Sequence, residues 1–281
     1  MQRFEGRKVL VLGGGADGPA GEGEVLPMGN GRAIALRLAR EGAEIAVTDI
    51  DLAKAEQTVA ALPGRGLALQ SDAADAAACT DAVLRAEREL GPLDVVICNV
   101  AINPQQPGRV QGVAEWDRAV AINLRSHWLT AQAALEPMMS RGRGNFVFVT
   151  SLAGMVSPGS SLSYEVTKAG LIAVARHFGV RYAGRGIRAN ALALGIIDST
   201  MVRRYWGDDE AARAWRGGQC PMGRQGTTDE TAAAVAFLAS DDAGFITGTC
   251  LVMDGGQLAS GMSTEAIPAA VTQRRQEAQR A

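Results

Sequence analysis

Lys8-Val9-Leu10-Val11-Leu12-Gly13-Gly14-Gly15 is a short apolar run that ends on consecutive glycines. So short and so apolar a run reads as a strand buried on both faces. Beyond residues 16–28, Gly31–Glu41 carries apolar residues at helical spacing. The alternation then continues to the end of the chain. Strands are expected at Glu44–Asp49, Gly66–Gln70, Asp94–Asn99, Gly144–Thr150, Ile187–Leu194 and Thr249–Asp254. Helices are expected at Leu52–Leu62, Asp75–Leu90, Ala114–Met139, Leu162–Ala183 and Asp229–Ala239. Ile196–Gly226 reads as irregular and polar. Strands alternating with helices predict an α/β fold, a doubly wound parallel sheet of about seven strands with helices on both faces. Its crossovers should be right-handed.

Composition narrows the function. The chain has 281 residues, 47% of them hydrophobic and 21% charged, which suits a folded globular protein rather than a disordered one. Its formal net charge of −2 offers no electrostatic footprint for nucleic acid or an anionic membrane. No apolar run approaches the roughly 18 residues of a membrane helix. The charged N-terminus runs straight into a strand, so no signal peptide and a cytoplasmic location are expected. Cys79, Cys98, Cys220 and Cys250 lie far apart, without zinc-type spacing, and read as reduced thiols; no metal site is expected. His127 and His177 fall inside helical patterns and read as structural. Of the 28 Lys and Arg residues only Lys8, Lys54 and Lys168 are lysine, so a retained lysine invites a chemical reason.

Gly13-Gly14-Gly15 after the first strand and Gly29-Asn30-Gly31 at the first helix read as a phosphate-binding turn, although any tight turn uses glycines. Glycines let the backbone approach a pyrophosphate, and the helix N-terminus supplies free N–H groups. Asp49 closes the second strand, 18 residues after Gly31, where a carboxylate can hold an adenosine ribose.

Tyr164-Glu165-Val166-Thr167-Lys168 puts a phenol and an ammonium on one helix face. A phenol is a poor base at neutral pH, and a neighbouring cation stabilises its phenolate. Ser151 sits at the C-terminal end of a strand, where open α/β sheets place ligands. Read blandly, the Tyr164–Lys168 pair is a surface pair and Ser151 a helix cap. Asn123 lies within the long helix, where Asn is a mediocre helix former.

Taken in order, these residues resemble the short-chain dehydrogenase/reductase family, over residues 6 to about 256. The matching pieces are the glycine turn, Asp49, Asp72, Asn99-Val100-Ala101, Asn123, Ser151, Tyr164, Lys168, Asn190-Ala191 with Gly195, and Asp254-Gly255-Gly256. The resemblance implies a Rossmann-type fold and an oxidoreductase interconverting a secondary alcohol and a ketone. A catalytically silent dinucleotide-binding protein, or a dehydratase or epimerase on the same fold, are the alternatives. It implies that Tyr164 transfers the proton and Ser151 hydrogen-bonds the substrate oxygen. Lys168 would lower the Tyr164 pKa and hold the nicotinamide ribose, and Asn123 would position a water. It places the cofactor against Gly14, Asn30, Gly31, Asp49, Ile50, Asp72, Ala73, Asn99, Ala101, Tyr164, Lys168, Gly195 and Ile197. Asp49 favours NAD over NADP, because a 2′-phosphate would face its charge. A homotetramer, or a dimer, is expected through the helices at Ala114–Met139 and Leu162–Ala183.

The sequence departs from the family at residues 16–28, an insertion within the glycine turn, at Val100 and Leu194, and in a tail over 257–281. The expected domain therefore spans 1–256, with a substrate lid at 196–226. The insertion reads as a solvent loop or a flap, and the tail as a segment docked on another subunit. The lid's Arg203, Arg204, Arg213, Arg216, Trp206 and Trp215 could meet an aromatic or anionic substrate, and read more simply as a solvated amphipathic helix.

Overall fold

The computed structural model describes residues 2–16, 28–104 and 110–261. Nine strands occur in these residues: β1 (Lys8–Leu12), β2 (Glu44–Asp49), β3 (Gly66–Gln70), β4 (Val95–Cys98), β5 (Gly144–Ser151), β6 (Ile187–Leu194), β7 (Ile197–Asp198), β8 (Gly226–Thr227) and β9 (Cys250–Met253). Seven of them form one sheet in the order β3-β2-β1-β4-β5-β6-β9, every neighbouring pair parallel. The short β7 and β8 pair with each other alone. The nine α-helices among the described residues are α1 (Asn30–Arg40), α2 (Leu52–Ala60), α3 (Ala76–Leu90), α4 (Val113–Val120), α5 (Ser126–Ser140), α6 (Leu162–Arg181), α7 (Thr200–Trp206), α8 (Glu210–Gly218) and α9 (Thr228–Ala239).

Alternation along the strands fills both faces. Val9 and Val11 of β1 point into a cluster with Ile34 and Leu38 of α1 and Val235 of α9. Leu10 and Leu12 point the other way, toward Val83 of α3, Leu135 of α5 and Phe178 of α6. Each fully buried Leu or Phe contributes roughly 1.5–3 kcal/mol of transfer free energy, so the two layers together hold the sheet between them. The strand order reverses between β1 and β4. That reversal opens a crevice at the carboxyl ends of the strands, the usual ligand position in such sheets.

The expected helix Ala114–Met139 is in fact three pieces. Between α4 and α5, Ala121–Arg125 winds as one π turn, with Ser126 N–H bonded to the Ala121 carbonyl. The Ser126 hydroxyl donates to the Ile122 carbonyl, four residues back, at 2.6 Å. Ile196–Gly226, expected to be irregular, contains α7 and α8. Both are capped from the side: the Ser199 hydroxyl accepts from Val202 N–H and the Asp209 carboxylate from Ala212 N–H. The insertion lies outside the described residues except for Ala16 and Met28, and the tail beyond 261 lies outside them as well.

Candidate active site

The glycine turn is built on two close approaches. Gly13 has φ +65°, and a Cβ on Gly31 would stand 2.1 Å from the Gly13 carbonyl oxygen. A Cβ on Gly15 would stand 2.3 Å from Asp49 Oδ2. Only glycine lets the start of α1 and the end of β1 touch in this way. The N-cap of α1 is Gly29, which offers no side-chain cap, and the first turn holds no acid. The leading N–H groups of that helix are thus left for an anion. Asn30 Oδ1 is buried beside them without a hydrogen-bond partner.

One groove joins this turn to the proposed reacting groups. It is lined by Gly13, Gly15, Gly29, Asn30 and Gly31 at one end and by Ser151, Tyr164 and Lys168 at the other. Asp49, Asn99, Ala101, Gly195 and Ile197 also line it. A neighbouring hollow is lined by Asp49, Ile50, Asp72 and Ala73. Of the expected cofactor residues, Gly14 alone lines neither. Its N–H donates to the Thr48 carbonyl at 3.1 Å and its Cα packs toward Val47, so it braces β1 against β2. Gly13, Gly15 and Gly29 face the groove instead.

Asn99 Nδ2 donates to the carbonyls of Leu12 and Gly13, at 3.3 and 3.1 Å, and so ties β4 to the glycine turn. Next to it, the Val100 carbonyl accepts from His127 Nε2 at 2.8 Å. His127 is fully buried, and burial first, the Lys168 charge second, push it down to about 3, so the imidazole is neutral and structural. Gly195 sits where a Cβ would meet the Asp254 backbone at 2.7 Å, and the Asp254 carboxylate accepts from Gly256 and Leu258 N–H.

Ser151 ends β5. Its hydroxyl accepts from Ala153 N–H at 3.2 Å and also hydrogen-bonds the Tyr164 hydroxyl. The cap reading of Ser151 therefore holds, and the same residue lines the groove. Lys168 is almost fully buried, and its ammonium donates to the Val149 carbonyl at 2.9 Å, 5.5 Å from the centroid of the Tyr164 ring. Burial pulls it down to about 8. Burial also raises the Tyr164 phenol above its ordinary value, and the Ser151 hydrogen bond opposes that rise. In the chain by itself, then, desolvation outweighs the expected lowering of the phenol.

Asn123 is not at the groove. It is fully buried within the π turn, where its side chain exchanges two hydrogen bonds with the Ile102 backbone, both at 2.8 Å. It also donates to the Thr167 hydroxyl at 3.3 Å, one residue before Lys168. Its side chain thus faces the Ile102 backbone and Thr167 rather than the groove. Ser199, Met201 and Val202 line the groove as well, and the sequence reading missed them because it took the lid as irregular. Among the described residues, no cluster of His, Cys, Asp or Glu could hold a metal, and no helix is long and apolar enough to cross a membrane.

A family model described as enoyl-(acyl carrier protein) reductase matches residues 27–257. The chain is 34% identical to 2-(S)-hydroxypropyl-CoM dehydrogenase 3 of Xanthobacter autotrophicus, over 92% of this chain and 98% of that protein. It is 37% identical to cis-4-hydroxycyclohexanecarboxylate dehydrogenase of Sinomonas cyclohexanicum, over 82% of this chain and 93% of that one. It is 32% identical to an Escherichia coli 3-oxoacyl-acyl-carrier-protein reductase, over 90% of this chain and 98% of that one. Among solved structures, a double mutant of a Serratia marcescens short-chain dehydrogenase/reductase superposes with a TM-score of 0.78 at 29% identity, covering 91% of this chain and 99% of that one. The groove, the parallel sheet and these relatives agree: the chain belongs to the short-chain dehydrogenase/reductase family, enzymes that act on CH–OH groups with a nicotinamide cofactor.

Proposed function

We propose that the protein is an NAD-dependent dehydrogenase that interconverts a secondary alcohol and its ketone, with Tyr164 as the acid/base. The observation that carries this reading is the single groove with Ser151, Tyr164 and Lys168 at one end and Asp49 at the other. When bound, the nicotinamide supplies the hydride acceptor or donor. Gly13, Gly15, Gly29, Asn30 and Gly31 would hold its pyrophosphate. Asp49, Ile50, Asp72 and Ala73 would hold its adenosine, and Asn99, Ala101, Lys168, Gly195 and Ile197 its nicotinamide end.

The chain's own part is proton handling and orientation. Ser151 Oγ holds the substrate oxygen and stabilises the charge that develops there. On oxidation the Tyr164 phenolate takes the alcohol proton and becomes the phenol, and on reduction the phenol gives that proton to the substrate oxygen. The Lys168 ammonium spends one donor on Val149, and its charge, 5.5 Å from the Tyr164 ring centroid, would stabilise a phenolate once that site is closed. Asn123 holds the π turn against Thr167 and thereby fixes the height of Lys168 on α6. Leu84, Val113, Trp128, Leu162 and Val166 leave exposed apolar surface on α3, α4, α5 and α6, which supports a homotetramer built on those helices. Four unpaired thiols suit a cytoplasmic location.

A screen of NAD reduction by absorbance, across secondary alcohols, sugars, steroids and hydroxy acids, tests the function. Reduced nicotinamide formed from at least one secondary alcohol is the expected result. Turnover of a substrate without net NAD reduction would move the assignment to a dehydratase or epimerase, and cofactor binding without turnover to a silent binding protein.

A further inference from the structure

The lid carries acids and arginines at a regular interval: Asp198, Arg203, Asp208 and Arg213, each five residues after the last. That interval matches no helix face, because neighbours on a helix are three or four apart. The four meet only because the chain bends between β7, α7 and α8. Arg203 Nε and Nη2 donate to the two oxygens of Asp198 at 2.8 and 2.7 Å. Its Nη1 donates to Asp208 at 3.1 Å, and Arg213 Nε donates to the other Asp208 oxygen at 2.8 Å. The Arg203 side chain is only 15% exposed, so the forked pair is more than a solvated surface contact.

Asp198 is itself fixed. Its backbone pairs with Thr227 of β8, which runs directly into α9 and the core. Behind the network, the fully buried Arg216 of α8 donates to the Gly207 carbonyl at 2.6 Å and to Gln225 at 2.7 Å. All three donor-bearing nitrogens of the Arg203 guanidinium face carboxylates, so Arg203 is not a receptor for a substrate anion. What it does hold is α7, a helix of seven residues, too short to be stable without tertiary anchors. Met201 and Val202 of that helix line the groove that Ser151 and Tyr164 line.

We infer that Arg203 is a positioning residue: clamped by Asp198 and Asp208, it holds α7 so that Met201 and Val202 wall the groove at Ser151 and Tyr164. The inference rests on the function proposed above for its kinetic consequence, but not for its structural one. Without the clamp, α7 loses its side-chain ties to β7 and to the start of α8, and the substrate loses a wall while the proton-transfer groups stay in place.

The test uses Asp198→Asn, Arg203→Gln and the double variant in the full chain. Trypsin cleavage within the lid is compared for wild type and Asp198→Asn, which keeps every arginine. About tenfold faster cleavage at Arg204 or Arg213 is expected, at a melting temperature unchanged to within a few degrees. With NAD and cyclohexanol as the probe, each single variant should raise KM for the alcohol about tenfold and leave kcat within about threefold. The double variant should be no worse than Arg203→Gln alone, since that change already removes the pair with Asp198. Wild-type cleavage rates in Asp198→Asn, an unchanged KM, or effects that add in the double variant would overturn the inference. If wild type oxidises no secondary alcohol, the dehydrogenase reading fails, and the cleavage rates still decide the clamp.

Discussion

Asp49 Oδ2 accepts a hydrogen bond from Gly15 N–H at 3.2 Å, so the acid that closes the second strand is bound to the glycine turn that follows the first. Its other oxygen accepts from Asp51 N–H at 3.1 Å. The carboxylate is therefore oriented before any ligand arrives. A 2′-phosphate within a few ångströms of it costs on the order of 1–4 kcal/mol at the effective dielectric of a partly exposed site. NAD should then be preferred over NADP by roughly one to three decades. Calorimetric titration of both cofactors checks this for wild type, Asp49→Ala and Gly15→Ala. Asp49→Ala should narrow the ratio, and Gly15→Ala should weaken NAD binding, because its methyl group would occupy the carboxylate's place. Equal affinity for both cofactors in wild type would refute the assignment of Asp49.

Lys168 should cost stability where it supplies chemistry. Burial lowers it to about 8, against 10.5 in the unfolded chain. Below pH 8 the folded state carries the buried charge at full cost. Between pH 8 and 10.5 the unfolded chain keeps a proton that the folded chain has released, so stability is regained as pH rises through that window. The difference amounts to about 3 kcal/mol at most. Part of it is offset by the hydrogen bond to Val149. Lys168→Met should thus be inactive yet more stable than wild type at pH 7, by about 1–3 kcal/mol, with the gap closing by pH 10.5. Urea melts at the two pH values measure it; a variant less stable at pH 7 would contradict the account.

His127 should set part of the acid limit. Its folded value, about 3, lies below the unfolded 6.5. The unfolded state therefore binds the extra proton, and the contribution is intact above pH 6.5 and lost progressively toward pH 3, at about 1.4 kcal/mol per pH unit. His127→Gln keeps a donor for the Val100 carbonyl and cannot titrate. Wild type should lose stability faster than this variant between pH 6.5 and 4 in denaturant melts. Parallel curves would mean that the imidazole is not held neutral.

The exposed apolar side chains on α4, α5 and α6 should be covered in solution. Light scattering at micromolar concentration should give a tetramer, and Trp128→Glu with Val166→Glu should shift it toward smaller species. A stable wild-type monomer would contradict this reading.

The sheet was legible because its strands alternate around a common pattern: Val9 and Val11 serve one layer, Leu10 and Leu12 the other. Asp49, Ser151, Tyr164 and Lys168 were legible because each sits at the end of a strand or on one helix face, where spacing fixes direction. The π turn that holds Asn123 was invisible in the sequence, since the partner its side chain meets, the Ile102 backbone, arrives from another loop. The lid misled most. Its short helices are interrupted at Gly207, and its arginines look solvated until the bend brings Asp198 and Asp208 to Arg203. Five-residue spacing of opposite charges was the one signal that could have revealed it. Gly13, Gly14 and Gly15 look alike in the sequence, and only Gly13's positive φ and Gly15's contact with Asp49 tell them apart.

The central claim is that the Tyr164 hydroxyl moves the proton. Tyr164→Phe removes one oxygen from a residue that bonds Ser151 and leaves the ring in place. The decisive measurement is steady-state turnover of this variant with NAD and the best alcohol substrate, with NAD affinity measured on the same preparation. The account predicts a fall in kcat of at least about 10²–10⁴, with NAD bound as tightly as by wild type. Near-normal turnover would contradict it.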